Sequence, residues 1–453
     1  MHLSSIHDYG KGMDLLAHYS DSSDELSDQE VVAKPVAQES FDKNGKRKFK
    51  FSKAELKRRR KQRKGDGPWG SWDVEVDQKT VQDIDDGGAH DLFDSDHDQE
   101  TANGPTKLLN EKSTFYGRKE RDYQGRSYLH PPADVDVDFK RTQFKCYLPK
   151  KVIYRYKGHH NGTTSLRLLP GTGHLILSGG NDNTVKLWDF YHDRKCLRDF
   201  VGHSKPIKTL DFTSDSSQFL SGSYDQQVKI WDTETGKVTK RLNTYSTPNS
   251  AEFRPTSGNE FVVGLSSSKI KHYDTRVSEK DGLVQVYDHH LSSILAIKYF
   301  PDGSKFISSS EDKTLRIWNN QVNIPIKQIS DTTQHSMPYI GIHPEHNYFS
   351  TQSMDSVIYS YSMKPKYKMH PNKKFKGHNS AGYGIGLTFS PDGRFLCSGD
   401  ARGQLFLWDW NTNRKLCDLK LPTKSPITQV SWHPKETSKV ICSGPDGRIF
   451  VLD

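Results

Sequence analysis

No run of eighteen apolar residues occurs anywhere in the 453-residue chain, so no helix-length membrane span is encoded. The start, MHLSSIHDYGKGMD, has no basic stretch followed by an apolar core, and a secretory signal is not expected there. Cysteine is scarce. Cys146, Cys196, Cys397, Cys417 and Cys442 are odd in number, scattered, and form no Cys-x-x-Cys pair. That excludes a disulfide framework and a zinc-finger spacing, and it fits free thiols in a reducing compartment. The chain contains no GxSxG, P-loop or HExxH motif, so the common nucleophile-elbow, nucleotide and metalloprotease chemistries lack their sequence carriers, and no cofactor or metal is expected.

Large apolar residues are sparse over roughly the first 120 positions. SDSSDELSDQE (20–30) and DIDDGGAHDLFDSDHDQE (83–100) are acidic, and such segments bury too little surface to offset chain entropy. Between them, thirteen of the 22 residues from Lys43 to Lys64 are Lys or Arg. A solvated charged stretch is the plain reading. The tighter cluster Lys57, Arg58, Arg59, Arg60, Lys61, Arg63 and Lys64 also has the composition of a nuclear-import signal. Two aromatic islands interrupt the polar tract: GPWGSW, with Trp69 and Trp72, and DYQGRSYLHPP, with Tyr123, Arg126 and Tyr128. Aromatics in a polar tail read as anchors for a partner, or for the chain's own folded part. The expected organisation is a disordered tail over 1–121, an anchor segment over 122–145 and a folded domain over 146–453.

The folded part repeats one phrase. An apolar run ends at Trp188-Asp189, Trp231-Asp232, Tyr273-Asp274, Trp318-Asn319, Tyr361-Ser362, Trp408-Asp409 and Leu452-Asp453. The steps are 43, 42, 45, 43, 47 and 44 residues. A period near 44, with four short alternating runs per unit, predicts an all-β, seven-bladed propeller. A quartet recurs within the units: His159, Ser178, Asp182 and Trp188; His203, Ser221, Asp225 and Trp231; His290, Ser308, Asp312 and Trp318. This set resembles the WD40 repeat, in which such residues hydrogen-bond within one blade. An Asp in a tight turn accepts from turn amides and from the imidazole, and the Trp N–H needs an acceptor once its ring is buried. Ser, His and Asp together also suggest a hydrolase. A set copied blade after blade is structural, however, because catalysis needs one activated serine.

The copies are uneven. His335, Thr351 and Asp355 fit the pattern of the fifth unit. The third unit has Thr247 and Ser267 in place of His and Asp. The sixth has Arg402 at the Asp position with Asp400 nearby, and the seventh has Thr423, Cys442 and Leu452. The last unit ends without a fourth strand, and KKVIYRYKGH (150–159) alternates just before the first. Residues 151–156 are therefore expected to complete the seventh blade and close the ring.

Charge divides the same way, net −3 over 1–145 and +12 over the rest, which points to a polyanionic neighbour. The most basic folded stretch, MKPKYKMHPNKKFKGH (363–378), carries Lys364, Lys366, Lys368, Lys373, Lys374 and Lys376. Interleaved with Tyr367 and Phe375, these suit a nucleic-acid backbone on the face away from the His/Asp turns.

Specific stretches go beyond a generic repeat: KCYLPKK (145–151), VKLWD (185–189), GHSKPIK (202–208), KIWDTETGK (229–237), FKGH with AGYGIGLTFSPDG (375–393) and, outside the repeat grammar altogether, DYQGRSYLHPP (122–132) and WHPKETSKVI (432–441). In these the chain resembles the WD40-repeat pre-mRNA splicing factors of the second catalytic step, the cell-division-cycle 40 / pre-mRNA-processing factor 17 family. The resemblance implies a nuclear, non-catalytic spliceosome component. Such a component braces the remodelled complex for exon ligation through contacts with spliceosomal proteins, small nuclear RNA and pre-mRNA. It implies no membrane or small-molecule substrate, and a monomer within a large complex. A ribosome-assembly propeller would share the basic tail, and a ubiquitin-ligase substrate receptor would share the propeller.

Overall fold

A computed structural model describes residues 111–453, apart from 118–119, 122–124, 133, 136, 140, 142–143, 193, 279–281 and 381, together with residues 40–41 and 47–48. The chain falls into two compact units, 1–100 and 101–453. In the first, Ser40–Phe41 pairs antiparallel with Arg47–Lys48. The basic cluster Lys57–Lys64, Trp69, Trp72 and Tyr123 lie outside the described residues.

The second unit is a seven-bladed propeller in which every regular element among the described residues is a strand. Blade one is built from Thr163–Leu168, Leu175–Gly180, Thr184–Asp189 and Cys196–Val201, from the channel outward. Blades two to six repeat this order, beginning at Ile207, Pro248, Ile294, Tyr339 and Leu387. The seventh begins at Gln429 and takes Val152–Lys157 as its outer strand, with Leu452 opposite Val152 and Arg448 opposite Lys157. The expected clasp over 151–156 thus sits one residue further on.

The sequence pattern follows from being packed on both sides. A blade lies between two others, so its second strand has no solvent face, and LILSGG and QFLSGS are buried nearly throughout. There is accordingly no single core. Seven apolar clusters fill the seams between neighbouring blades. Leu220, Val228 and Ile230 of blade two meet Phe253, Phe261 and Val263 of blade three, and Ile441 and Ile449 of blade seven meet Ile176 and Trp188 of blade one. Trp231, Trp318 and Trp408 are each fully buried in such a seam, which contributes about 2–3 kcal/mol apiece relative to exposure.

The turn between second and third strands recurs in seven copies. Its central residue is left-handed in each: Asn183, Gln226, Ser268, Lys313, Ser356, Gly403 and Gly447, with φ between 63° and 77°. Where an Asp precedes it, the carboxylate accepts the amide two residues on, as Asp312 does from Thr314 N at 2.9 Å and Asp355 from Val357 N at 3.1 Å.

Strand pairing with the propeller extends upstream of the folded domain expected over 146–453 and into the tail expected over 1–121. Lys112–Phe115 adds a fifth strand to the outer edge of blade one, antiparallel to Cys196–Val201. From there, described residues between 125 and 151 contact blades one, seven and six. Phe139 packs edge-on against Tyr191, Cys146 N donates to Asp392 at 2.8 Å, and Lys150 N and Lys151 N donate to Asp453 O at 2.8 and 2.9 Å.

Candidate interaction surfaces

The three full quartets are hydrogen-bonded and buried. His159 Nδ1 meets Asp182 at 2.8 Å, its Nε2 meets Ser178 Oγ at 2.8 Å, and Trp188 Nε1 donates to the same oxygen at 2.8 Å. His203, Ser221, Asp225 and Trp231 repeat this geometry, with three contacts of 2.8 Å. His290, Ser308, Asp312 and Trp318 do so again at 2.8, 2.7 and 2.8 Å. Burial opposes ionisation of Asp182, but hydrogen bonds from His159 and Thr184 outweigh it and hold the carboxyl at about 2. Each serine is enclosed and already engaged by both the imidazole and the indole. The arrangement clamps the His loop to the second-to-third turn.

The remaining blades use other locks. His335 does not join a quartet: it is exposed, and Thr351 Oγ1 instead lies 3.0 Å from the Met337 sulfur, while Asp355 accepts from Tyr359 OH at 2.7 Å. A histidine two residues from the buried position is displaced by Met337, which fills the seam. In blade six Asp400 takes the turn role, accepting from Asn379 N and Arg402 N, while His378 bonds Gln352 of blade five at 3.0 Å. In blade three hydroxyls replace the quartet, with Ser246 Oγ 2.7 Å from Ser266 Oγ. Cys442 and Leu452 of blade seven are packed into the seam with blade six.

The lysines of 363–378 are not one surface. Lys364, Lys366 and Lys368 are exposed on the hairpin between Ile358–Ser362 and Met369–Phe375, away from the His/Asp turns. Lys373 and Lys374 belong to the outer strand. Lys373 donates to Trp410 O at 2.6 Å with its ammonium 4.3 Å from the ring centroid, and Lys374 lies over Tyr359. Lys376 is exposed at the far end of that strand, beside His378. Tyr367 and Phe375 are buried, so neither can stack on a base. The interleaving reflects strand alternation, with apolar residues turned into the seam.

Tyr128 is docked on the chain's own propeller. Its hydroxyl donates to the carbonyls of Thr233 and Glu234, and its ring stacks on Phe115 at 5.6 Å. Burial pushes its phenol up to about 12. Below both rings lies Arg198, which donates to Ser113 Oγ, Thr235 O and Glu120. Arg126 is half-buried in the same segment. Upstream, Glu111 bridges the buried Lys229, at 2.7 Å, and Arg241. Sequence reasoning missed this strap because its partners are scattered over a hundred residues. The available signal was an inward-facing Lys in the third strand, VKIWD, that demands a countercharge.

Comparison with known proteins settles the family. The WD domain, G-beta repeat model matches residues 150–189, 194–232, 282–319 and 369–409. Pre-mRNA-processing factor 17 of Saccharomyces cerevisiae is 64% identical over 418 residues, covering 90% of each chain. The human protein of that name is 37% identical over 444 residues, covering 94% of this chain and 76% of its own length. This chain belongs to the pre-mRNA-processing factor 17 family. More distant is the mouse WD repeat-containing protein 25, 26% identical over 296 residues, with 63% of this chain and 55% of that one covered.

Two observations join the pre-mRNA-processing factor 17 membership to the geometry. The stretches left unmatched by the repeat model hold most of blades three, five and seven, where the quartet is replaced. Described residues of the two non-repeat segments DYQGRSYLHPP and WHPKETSKVI bond adjacent residues of one blade-one loop, Gly173 and His174. His174 Nε2 bonds Tyr128 O at 3.1 Å, and the adjacent Gly173 O is 3.1 Å from His433 Nε2. His343 makes the matching clip from blade five to Gly393 of blade six at 2.8 Å.

Proposed function

We propose that this chain is a nuclear, non-catalytic component of the spliceosome that supports exon ligation, the second transesterification, by bracing the remodelled complex. The observation that carries the reading is the 64% identity to a pre-mRNA-processing factor over 418 residues, 90% of this chain. The geometry supports it. A ring of seven packed blades is a rigid body, and its Ser–His–Asp sets are spent on holding turns. The exposed Lys364, Lys366 and Lys368 neutralise RNA phosphates. In the tail, Trp69, Trp72 and Tyr123 anchor on spliceosomal proteins and Lys57–Lys64 directs nuclear import. Many modest contacts from one chain then favour one assembled conformation over another.

The test is splicing in an extract depleted of the protein. Free 5′ exon and lariat intermediate accumulate, and the added protein restores ligated exons. Accumulation of unspliced precursor alone overturns the placement after branching. Co-purification of ribosomal precursor RNA in place of small nuclear RNAs overturns the spliceosomal assignment.

A further inference from the structure

The rim of the His/Asp face over blades two and three displays two aromatic rings to solvent. Tyr245 is 79% exposed and Tyr224 40% exposed. The backbone of Tyr245 is left-handed, at φ 59°, a conformation that a bulky aromatic rarely adopts. It is held there by Asn243 Oδ1, which accepts Tyr245 N at 3.0 Å, and by the buried Thr244, whose hydroxyl donates to Ser246 O and Gln226 O at 2.7 and 2.8 Å. Gln226 lies in the same turn as Tyr224, so the two rings stand on one hydrogen-bonded platform. A large ring kept in water on a strained backbone adds nothing to the packing, and its placement is explained by what it meets from outside.

Each ring has its own cation. Lys208 Nζ lies 5.7 Å from the Tyr224 centroid, and Lys271 Nζ lies 5.7 Å from that of Tyr245 while donating to Thr244 O at 3.2 Å. Asp225, next to Tyr224 in the chain, is spent on His203 and the Ser204 amide. Blade three lacks the His–Asp clamp here and offers serine hydroxyls, Ser246 and Ser266. Tyr224 and Lys208 also line the mouth of the central channel, a cavity of about 550 Å³.

We infer that this rim is a stacking site for single-stranded RNA, with Tyr224 and Tyr245 receiving bases and Lys208 and Lys271 meeting the phosphates between them. Flat rings beside ammonium groups match alternating bases and phosphates, whereas a carboxylate-bearing peptide would use the lysines and leave the ring faces idle. The site is separate from the Lys364–Lys368 hairpin on the opposite face and does not rest on the splicing role.

The test uses the full-length protein and a short fluorescein-labelled oligouridylate. Because the tail is itself basic, ring substitutions and ultraviolet crosslink mapping provide the readout. Y224A with Y245A weakens binding about tenfold or more, whereas Y224F with Y245F binds like the native chain. K208Q with K271Q lowers the salt slope by about two. Y245G, which relieves the backbone, melts at the same or a higher temperature while binding more weakly, so lost affinity is not lost folding. Unchanged affinity in the alanine pair, crosslinks confined to the tail and the Lys364–Lys368 hairpin, or ring-dependent binding to an acidic peptide with none to RNA, each overturns the inference. The splicing assay is independent of all of these outcomes.

Discussion

At Gly447 a Cβ would stand 1.9 Å from His159 O, and φ is 74°. Gly447 O also accepts the amides of Gly158 and His159, at 3.1 and 3.0 Å. Gly447→Ala therefore loses the turn and pulls on the ring closure at once. The expected cost is about 2 kcal/mol or more, read as a lower denaturant midpoint. The buried histidines make a second prediction. Burial foremost pushes His343 down to about 4, His378 to about 4 and His433 to about 3, against an ordinary value near 6.5. These rings are neutral when folded, and the unfolded chain protonates them first. Stability is therefore intact above pH 6.5 and falls as pH drops from 6.5 towards 4, by up to about 1.4 kcal/mol per pH unit for each. The turn carboxylates such as Asp182 add their own loss only below about pH 4. Urea midpoints measured from pH 7.5 to 4.5 should show the decline, and His433→Gln should flatten it; a flat native profile would contradict the placement.

At the scale of an element, the strap at 111–128 carries countercharges for the propeller. Lys229 is 3% exposed and Arg198 4% exposed, and their carboxylates come from Glu111 and Glu120. Leaving a buried charge unpaired costs on the order of 3 kcal/mol, and the partial exposure of Glu120 reduces its share. A chain beginning at 111 should therefore melt as a full-length propeller does. One beginning at 146 should be markedly less stable, and Glu111→Gln should reproduce part of that loss. Equal melting of all three would show the strap to be dispensable. The hairpin at 363–368 gives the complementary case. Its three lysines are exposed, so changing Lys364, Lys366 and Lys368 to Glu should leave the melting temperature unchanged and weaken RNA crosslinking at that face.

For the whole molecule, stability resides in seams, and a ring of seams lacks a free end only while the clasp holds. Val152–Lys157 covers the edge of the last blade, and Tyr156 OH reaches across to Asp189 O of blade one at 2.9 Å. Replacing Val152, Tyr154 and Tyr156 with Asp should open the seam of blades one and seven. Unfolding should then spread over a broad transition, and hydrogen exchange should quicken first in Arg448–Leu452 and Thr163–Leu168. Retention of a single sharp transition would argue against closure by this strand.

The period, the blade count and the clasp were legible in the linear sequence because a blade is a local object. Four strands joined by short turns pair with their sequence neighbours, and alternation, turn residues and spacing record that pairing directly. The quartets at His159, His203 and His290 were legible for the same reason, their members lying within one repeat. What only the tertiary structure decided is everything that joins distant residues: Glu111 to Lys229, Tyr128 to Thr233, His433 to Gly173, and the division of the 363–378 lysines between two ends of one strand. Such contacts leave no periodic trace, since a buried countercharge or an aromatic dock is fixed by where the ring brings two segments, not by their separation along the chain.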